Sequence, residues 1–254
     1  LAPFSRNPAD VIMPHRLFSL DEVSSYLHIQ PDAVRLLAKR GEIPHVQMGG
    51  SLRFRQVEID RWASQRLLGM KPEDMHDFHQ CSTAKEHDLS SRRALLPELM
   101  RVEYVHAELP GKTKARVLRE MVEVADATGK VWDKDGLMQG VEERERLCST
   151  ALSGGVALLH PPHHDPHMFE DTFVVLGRSF APIPFGGPDG CMTRLFFLVC
   201  SQEDRIHLHV LARLGMMCYH TDLLLRLNEA DSSDEMYGVL IECEQELVAK
   251  QLRS

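Results

Sequence analysis

Between residues 17 and 67 the spacing of apolar positions changes from element to element. Leu20, Val23 and Leu27 form a stripe at helical spacing, and Ser19 with Glu22 three residues later is a capping box that starts the helix. His28-Ile29-Gln30 reads as a turn. Pro31 suits the first turn of a second helix, where Val34, Leu36 and Leu37 mix with Arg35, Lys39 and Arg40 until Gly41 ends it. The period then drops to two. Val46 and Met48 precede Gly49-Gly50, and Leu52 and Phe54 follow, which predicts a β-hairpin. Val57, Ile59 and Trp62 predict the core contacts of a third helix. Residues 68–96 are rich in polar positions and predict a linker, and residues 1–16 predict a flexible tail. Beyond residue 97 the pattern predicts helices over 112–128 and 135–148, then strands over 155–159, 172–177 and 193–200. Helices over 205–219, 222–229 and 232–252 complete an α/β layer domain spanning 97–254.

Composition narrows the class of protein. The longest apolar stretches, such as residues 195–200, have six residues, against roughly 20 for a membrane span. Residues 1–16 contain no apolar core of the kind a secretory signal needs. Cys81, Cys148, Cys191, Cys200, Cys218 and Cys243 form no C-x-x-C pair and predict reduced thiols. These features together predict a cytoplasmic protein without membrane association. The net charge of −8 hides a division, with 13 bases and 12 acids in residues 1–96 against 16 and 25 in residues 97–254. That asymmetry predicts two modules with different partners.

Helix, turn, helix, hairpin and closing helix form the pattern of a small winged DNA reader. A helix entering the major groove needs polar and basic residues on its outer face. Here the second helix offers Arg35, Lys39 and Arg40. Alternation on the wing sets Arg53 and Arg55 on the face opposite Phe54, where their guanidinium forks suit phosphate. With 7 bases and 6 acids over residues 17–66, a single copy predicts weak DNA binding and a homodimer for specific binding. The alternative is an ordinary solvated face of a protein-interaction module.

The runs 18–27, 31–44, 49–55 (Gly-Gly-Ser-Leu-Arg-Phe-Arg) and Ile59-Asp-Arg-Trp62 resemble the excisionase-type, MerR-like DNA-binding domains. That resemblance implies a winged helix-turn-helix that binds double-stranded DNA.

In the larger module, Arg144-Glu-Arg-Leu-Cys-Ser149-Thr150 precedes a bend at Gly154-Gly155, and a short apolar strand then delivers His160. A neutral imidazole is a competent nucleophile near pH 7, because its reference pKa is about 6.5. A transferred phosphoryl group needs a guanidinium and amide donors, which suits Arg144, Ser149, Thr150, Gly154 and Gly155. His207 is the candidate second histidine.

These residues carry a second resemblance. Arg144-Glu, Ser149-Thr150, Gly155-Val-Ala-Leu-Leu-His160, Ile183-Pro-Phe-Gly and the run 207–214 resemble the type-2 IIA domains of the bacterial phosphotransferase system, including the mannitol/fructose and nitrogen-regulatory proteins. Leu109-Pro-Gly-Lys-Thr-Lys fits as well. The resemblance implies a mixed sheet flanked by helices, and a phosphohistidine at His160 received from an HPr-like phosphocarrier protein. Arg144 and His207 fall on the family's supporting arginine and second histidine. The chain departs from the family at Leu159-His160-Pro161, where Pro-His-Gly is usual, and proline has no N–H to offer.

His160, His163, His164 and His167 could ligate zinc or nickel, but intervening prolines break any helix that would align them and no cysteine joins the set. The stretch therefore predicts a solvated loop, and neither metal nor cofactor. Met216-Met217 and Phe196-Phe197 predict core, Trp62 and Trp132 packing, and Glu143, Glu145 and the acids of 242–246 solvated helix faces. The sequence predicts a regulator coupling a IIA-like phosphocarrier to DNA binding, with a regulated protein as a further partner. In one alternative the IIA-like domain carries no phosphate and serves for dimerisation or sensing. In another the helix-turn-helix contacts protein instead of DNA.

Overall fold

The computed structural model describes residues 17–27, 29–69, 94–162, 167–202 and 204–251. The tail of residues 1–16, most of the 68–96 linker, Cys81, and His163, His164 and Asp165 lie outside the described residues. The chain divides into two compact units, Leu1–Trp62 and Ala63–Ser254.

In the smaller unit, β1 (Leu17–Phe18), α1 (Leu20–Leu27), α2 (Pro31–Lys39), β2 (Val46–Met48) and β3 (Ser51–Arg55) lead into α3 (Gln56–Leu68). The capping box at α1 is present: the Ser19 amide donates to Glu22 at 2.7 Å and the Glu22 amide to Ser19 Oγ at 3.2 Å. Val46–Met48 pairs antiparallel with Ser51–Leu52–Arg53 around Gly49 and Gly50, both at positive φ as such a turn requires. The unforeseen β1 adds Phe18 opposite Phe54, so the sheet order is β1-β3-β2. Val23, Leu27, Val34, Ile43, Phe54 and Ile59 are buried.

The larger unit holds α4 (Leu96–Leu99), a 3-10 turn (Val102–Tyr104), β4 (Val105–Leu109), α5 (Lys114–Asp126) and α6 (Lys134–Leu147). β5 (Ala151–Leu152), β6 (Val156–Leu159), β7 (Phe173–Ile183), β8 (Thr193–Cys200), α7 (Asp204–His220), α8 (Leu223–Glu229) and α9 (Ser233–Gln251) follow. The five strands form one sheet in the order β4-β7-β8-β6-β5, with β4/β7 and β6/β8 parallel and the other neighbours antiparallel. This is the expected α/β arrangement, a mixed sheet between helices.

Alternation sorts the strand residues between two cores. Val156, Leu158, Leu195 and Phe197 pack with residues of α7, α8 and α9. Ala157, Leu159, Phe196 and Leu198 pack with residues of α5 and α6. β6 is buried along its whole length and delivers the next residue, His160, to the sheet's end.

Some side chains lie elsewhere than the pattern predicts. Trp132 is 62% exposed and does not pack as expected. Glu145 and Glu244 are buried, not solvated. Met216, Met217, Phe196 and Phe197 are core residues. Among the described residues, the five cysteines are free thiols.

Candidate functional site: a buried Arg–His–His cluster

His160 is 1% exposed. Its Nδ1 lies 2.9 Å from the Leu158 carbonyl oxygen, which can only accept, so Nδ1 carries the proton. Nε2 therefore keeps its lone pair, and it accepts a bond from Arg144 Nε at 3.0 Å. The two contacts fix one tautomer and aim one ring nitrogen at a guanidinium. His207 on α7 is equally buried, and its ring centroid stands 4.8 Å from that of His160.

Arg144 reaches this site from the last turn of α6, where a cation suits the helix dipole. The helix begins at an N-cap, Asp133, whose carboxylate accepts the Gly136 amide at 2.9 Å. Arg144 Nη1 donates to the Cys148 carbonyl at 3.1 Å and to its Sγ at 3.2 Å. Nη2 is buried and has no hydrogen-bond partner among the described residues. A buried donor of this kind is costly unless an acceptor reaches it.

The loop after His160 has its own support. Pro161 and Pro162 are buried, and a Cβ added at Gly140 on α6 would stand 3.1 Å from Pro161 Cβ. Gly140 thus gives the helix the close approach that two proline rings demand.

The remaining candidates divide. Ser149 and Thr150 run beside the end of β6, where the Leu158 amide donates to the Thr150 carbonyl at 3.0 Å. Ser149 Oγ is spent on the Phe185 carbonyl at 2.8 Å, and the Thr150 amide and hydroxyl both donate to Glu145, at 3.0 and 2.5 Å. Gly154 and Gly155 occupy the β5–β6 turn at the opposite end of β6. Five residue steps separate Gly155 from His160, about 16 Å of extended chain. The Gly154 amide donates to Asp189 at 2.7 Å, and that bond with the one from the Cys191 amide holds the Asp189 carboxyl below its usual value. The structure therefore does not bring the glycine bend to the histidine, contrary to the expectation of a phosphate loop there.

Sequence reasoning missed Glu145 and Lys114. Glu145 follows Arg144 directly and is 5% exposed, and Lys114 Nζ lies 2.6 Å from its Oε1. The sequence signal for the pair was membership of two quoted runs, Glu145 in Arg144-Glu and Lys114 as the last residue of Leu109-Pro-Gly-Lys-Thr-Lys. Among the described residues, no group of three His, Cys, Asp or Glu is assembled for a metal.

In the smaller unit, Arg35 on α2 and Arg53 on the wing line one open groove of about 430 Å3 together with Asp21, Gly50 and Ser51. Lys39, Arg40 and Arg55 are exposed, and Phe54 is buried on the other side of its strand. Three of the cations face acids: Arg35 with Asp32 at 2.6 Å, Arg55 with Glu58 at 3.0 Å and, more loosely, Arg40 with Glu42 at 3.9 Å.

Residues 98–243 match the family model described as phosphoenolpyruvate-dependent sugar phosphotransferase system, EIIA 2. The chain belongs to this EIIA 2 family. Residues 17–67 match the family model described as a helix-turn-helix domain. The chain is 26% identical over 147 residues to the fructose-specific EIIABC component of Bacillus subtilis, covering 57% of this chain and 23% of that protein. It is 28% identical over 145 residues to the fructose-specific EIIA component of Haloferax volcanii, covering 56% of this chain and 91% of the relative. A nitrogen regulatory protein of Pseudomonas aeruginosa is 24% identical over 136 residues, covering 53% of this chain and 86% of the relative.

Among solved structures, the nitrogen regulatory protein IIA-Ntr of Neisseria meningitidis superimposes with a TM-score of 0.52 at 22% identity, over 58% of this chain and 99% of that one. IIA mannitol of Escherichia coli gives 0.50 at 22% identity, over 56% and 98%. These likenesses show the EIIA fold for the larger unit. No helix among the described residues is long and apolar enough to cross a membrane.

Proposed function

We propose that the EIIA 2 domain is a phosphocarrier that accepts a phosphoryl group at His160 Nε2 from an HPr-like phosphohistidine. The chain then acts as a cytoplasmic regulator that couples phosphorylation to binding of double-stranded DNA. The observation that carries the first half is the His160 tautomer, with Nδ1–H on the Leu158 carbonyl and Nε2 turned to Arg144. In the transfer, the Nε2 lone pair attacks phosphorus, and the donor's P–N bond breaks with its electron pair returning to the donor imidazole. The Nδ1 proton stays in place, and the Leu158 carbonyl stabilises the positive charge that develops on the ring. Arg144 exchanges its bond to Nε2 for bonds to phosphoryl oxygens, with Nη2 as a buried donor that has no partner among the described residues. His207, beside the ring, is the second histidine for orienting the group.

The DNA half rests on the helix-turn-helix match and on the groove between α2 and the wing. Arg35 and Arg53 would contact phosphates there, with Lys39, Arg40 and Arg55 on the exposed flank. The excisionase-type, MerR-like subtype belongs to this proposal, as do a homodimer on DNA and a regulated protein partner.

One observation favours a second reading, in which the domain senses or dimerises without phosphotransfer. Pro161 offers no N–H beside His160, and the side-chain donors of Ser149 and Thr150 are already used. Incubating the chain and its His160→Ala variant with radiolabelled phosphorylated HPr-type donor decides between them. Acid-labile label on the wild type alone is the expected result. An unlabelled wild type establishes the second reading.

A further inference from the structure

We propose that the Lys114–Glu145 ion pair is the positioning device for the Arg144–His160 pair, acting through the turn Cys148–Ser149–Thr150; the inference rests on the phosphocarrier reading.

One ion pair and a set of hydrogen bonds form a closed circuit. Lys114 Nζ meets Glu145 Oε1 at 2.6 Å, and Glu145 Oε2 accepts the amide and hydroxyl of Thr150. Ser149 Oγ donates to the Phe185 carbonyl at 2.8 Å, and Lys114 Nζ donates to that same oxygen at 3.0 Å while lying 4.5 Å above the Phe185 ring. Two of the turn's three residues are thereby tied by their side chains. Its first residue, Cys148, presents the carbonyl and Sγ that hold Arg144 Nη1. With Nη1 held, the guanidinium plane has one orientation, and Nε points at His160 Nε2.

Stability alone does not account for this arrangement. Glu145 is a carboxylate in the last turn of α6, where the helix dipole disfavours negative charge. It is also nearly fully buried, which costs more than an apolar side chain of similar volume. A carboxylate kept under both penalties is explained by what its ion pair orients. Lys114 and Glu145 are positioning residues, because the contacts to His160 run through Arg144.

The test compares the full chain with Lys114→Met, Lys114→Arg and Glu145→Gln, using phosphorylated HPr-type donor and 15N spectra of the histidine rings. For Lys114→Met the expected fall in maximal phosphorylation rate is roughly tenfold to a hundredfold, with the half-saturating donor concentration unchanged. Lys114→Arg, which keeps the ion pair, should restore the rate to within about threefold. In the unphosphorylated protein, the His160 Nε2 resonance should move toward that of a ring nitrogen with a free lone pair, in the same direction as in Arg144→Lys. Lys114 is partly exposed, so its variants report even where Glu145→Gln fails to fold. A wild-type rate in Lys114→Met, or an Nε2 resonance that stays in place, overturns the proposal. If the wild type takes up no phosphate, the phosphocarrier reading fails by itself, and the ring spectra still decide the positioning.

Discussion

Glu244→Ala should be among the most destabilising single changes in the larger unit. The Glu244 side chain is 0% exposed and meets Arg213 Nη1 at 3.1 Å, itself 1% exposed. Its carboxylate also accepts the Leu95 and Leu96 amides at 2.8 and 2.9 Å, which seats α4 against α9. Removing the carboxylate takes a counter-charge from a buried guanidinium, a loss of about 3–5 kcal/mol in comparable pairs. The two orphaned amides cost roughly 1–3 kcal/mol each, but they partly overlap with that figure. A total near 4 kcal/mol corresponds to a drop of about 8–16 °C in Tm for a unit of this size. The double variant Arg213→Met/Glu244→Leu removes both charges and leaves only the same two amides without an acceptor, about 2–6 kcal/mol at roughly 1–3 each, with no counter-charge lost from a buried guanidinium. It should therefore be more stable than the single variant. Burial holds the Glu244 carboxyl above its ordinary value despite the amides and Arg213, and burial also lowers Arg213, so desolvation dominates for both partners. A raised folded value means that the folded state binds the proton more tightly than the unfolded chain. This contribution to stability is full below the unfolded value, near pH 4.5, and is lost as pH rises through the folded one. Urea unfolding and calorimetry across that range measure both effects. A cost below about 1 kcal/mol for Glu244→Ala, or a double variant no better than the single, would refute the dominance of charge burial.

Three further outcomes are expected. Gly140→Ala gains about 1 kcal/mol of helix propensity but drives a methyl to 3.1 Å from Pro161 Cβ. Its stability should stay within about 1 kcal/mol of wild type. Phosphoryl uptake should slow, and a wild-type rate would show that the loop after His160 tolerates displacement. Asp32→Asn frees Arg35 from its 2.6 Å ion pair and should tighten DNA binding with a steeper salt dependence, while Arg35→Ala and Arg53→Ala weaken it. Gel shifts at several salt concentrations read this, and unchanged affinity in all three variants removes the groove from the DNA-binding face. Asp189 is held below its usual value by the Gly154 and Cys191 amides, so its support of the β5–β6 turn is present above the ordinary carboxylate value and lost as pH falls through the lowered one. Gly154 amide exchange should accelerate in Asp189→Ala, and the same exchange rate in wild type and variant would contradict this capping role.

The elements easiest to anticipate were those whose periodicity was unbroken. The runs 195–200 and 156–159 are continuously apolar and lie in buried strands. β1, β5 and β4 escaped notice because two-residue strands leave no period, and because Val105–Leu109 is a partly exposed edge with a histidine and a glutamate inside it. Glu145 and Glu244 are buried against their sequence pattern for one shared reason. Whether a helical carboxylate is solvated depends on partners outside its own helix, here Lys114 and Thr150 for one and Arg213 with the Leu95 and Leu96 amides for the other.

By itself the sequence determined the winged helix-turn-helix order, the α/β pattern of the larger unit and a histidine delivered by a buried strand. These follow from local spacing, capping and turn chemistry, which act over a few residues. Only the tertiary structure decided which side chains meet. It joined Arg144 and His207 to His160 and spent the Ser149 and Thr150 hydroxyls on Phe185 and Glu145. It also set Gly154 and Gly155 at the far end of β6. Strand register and helix packing make those choices, because they set distances between residues that no short window of sequence contains.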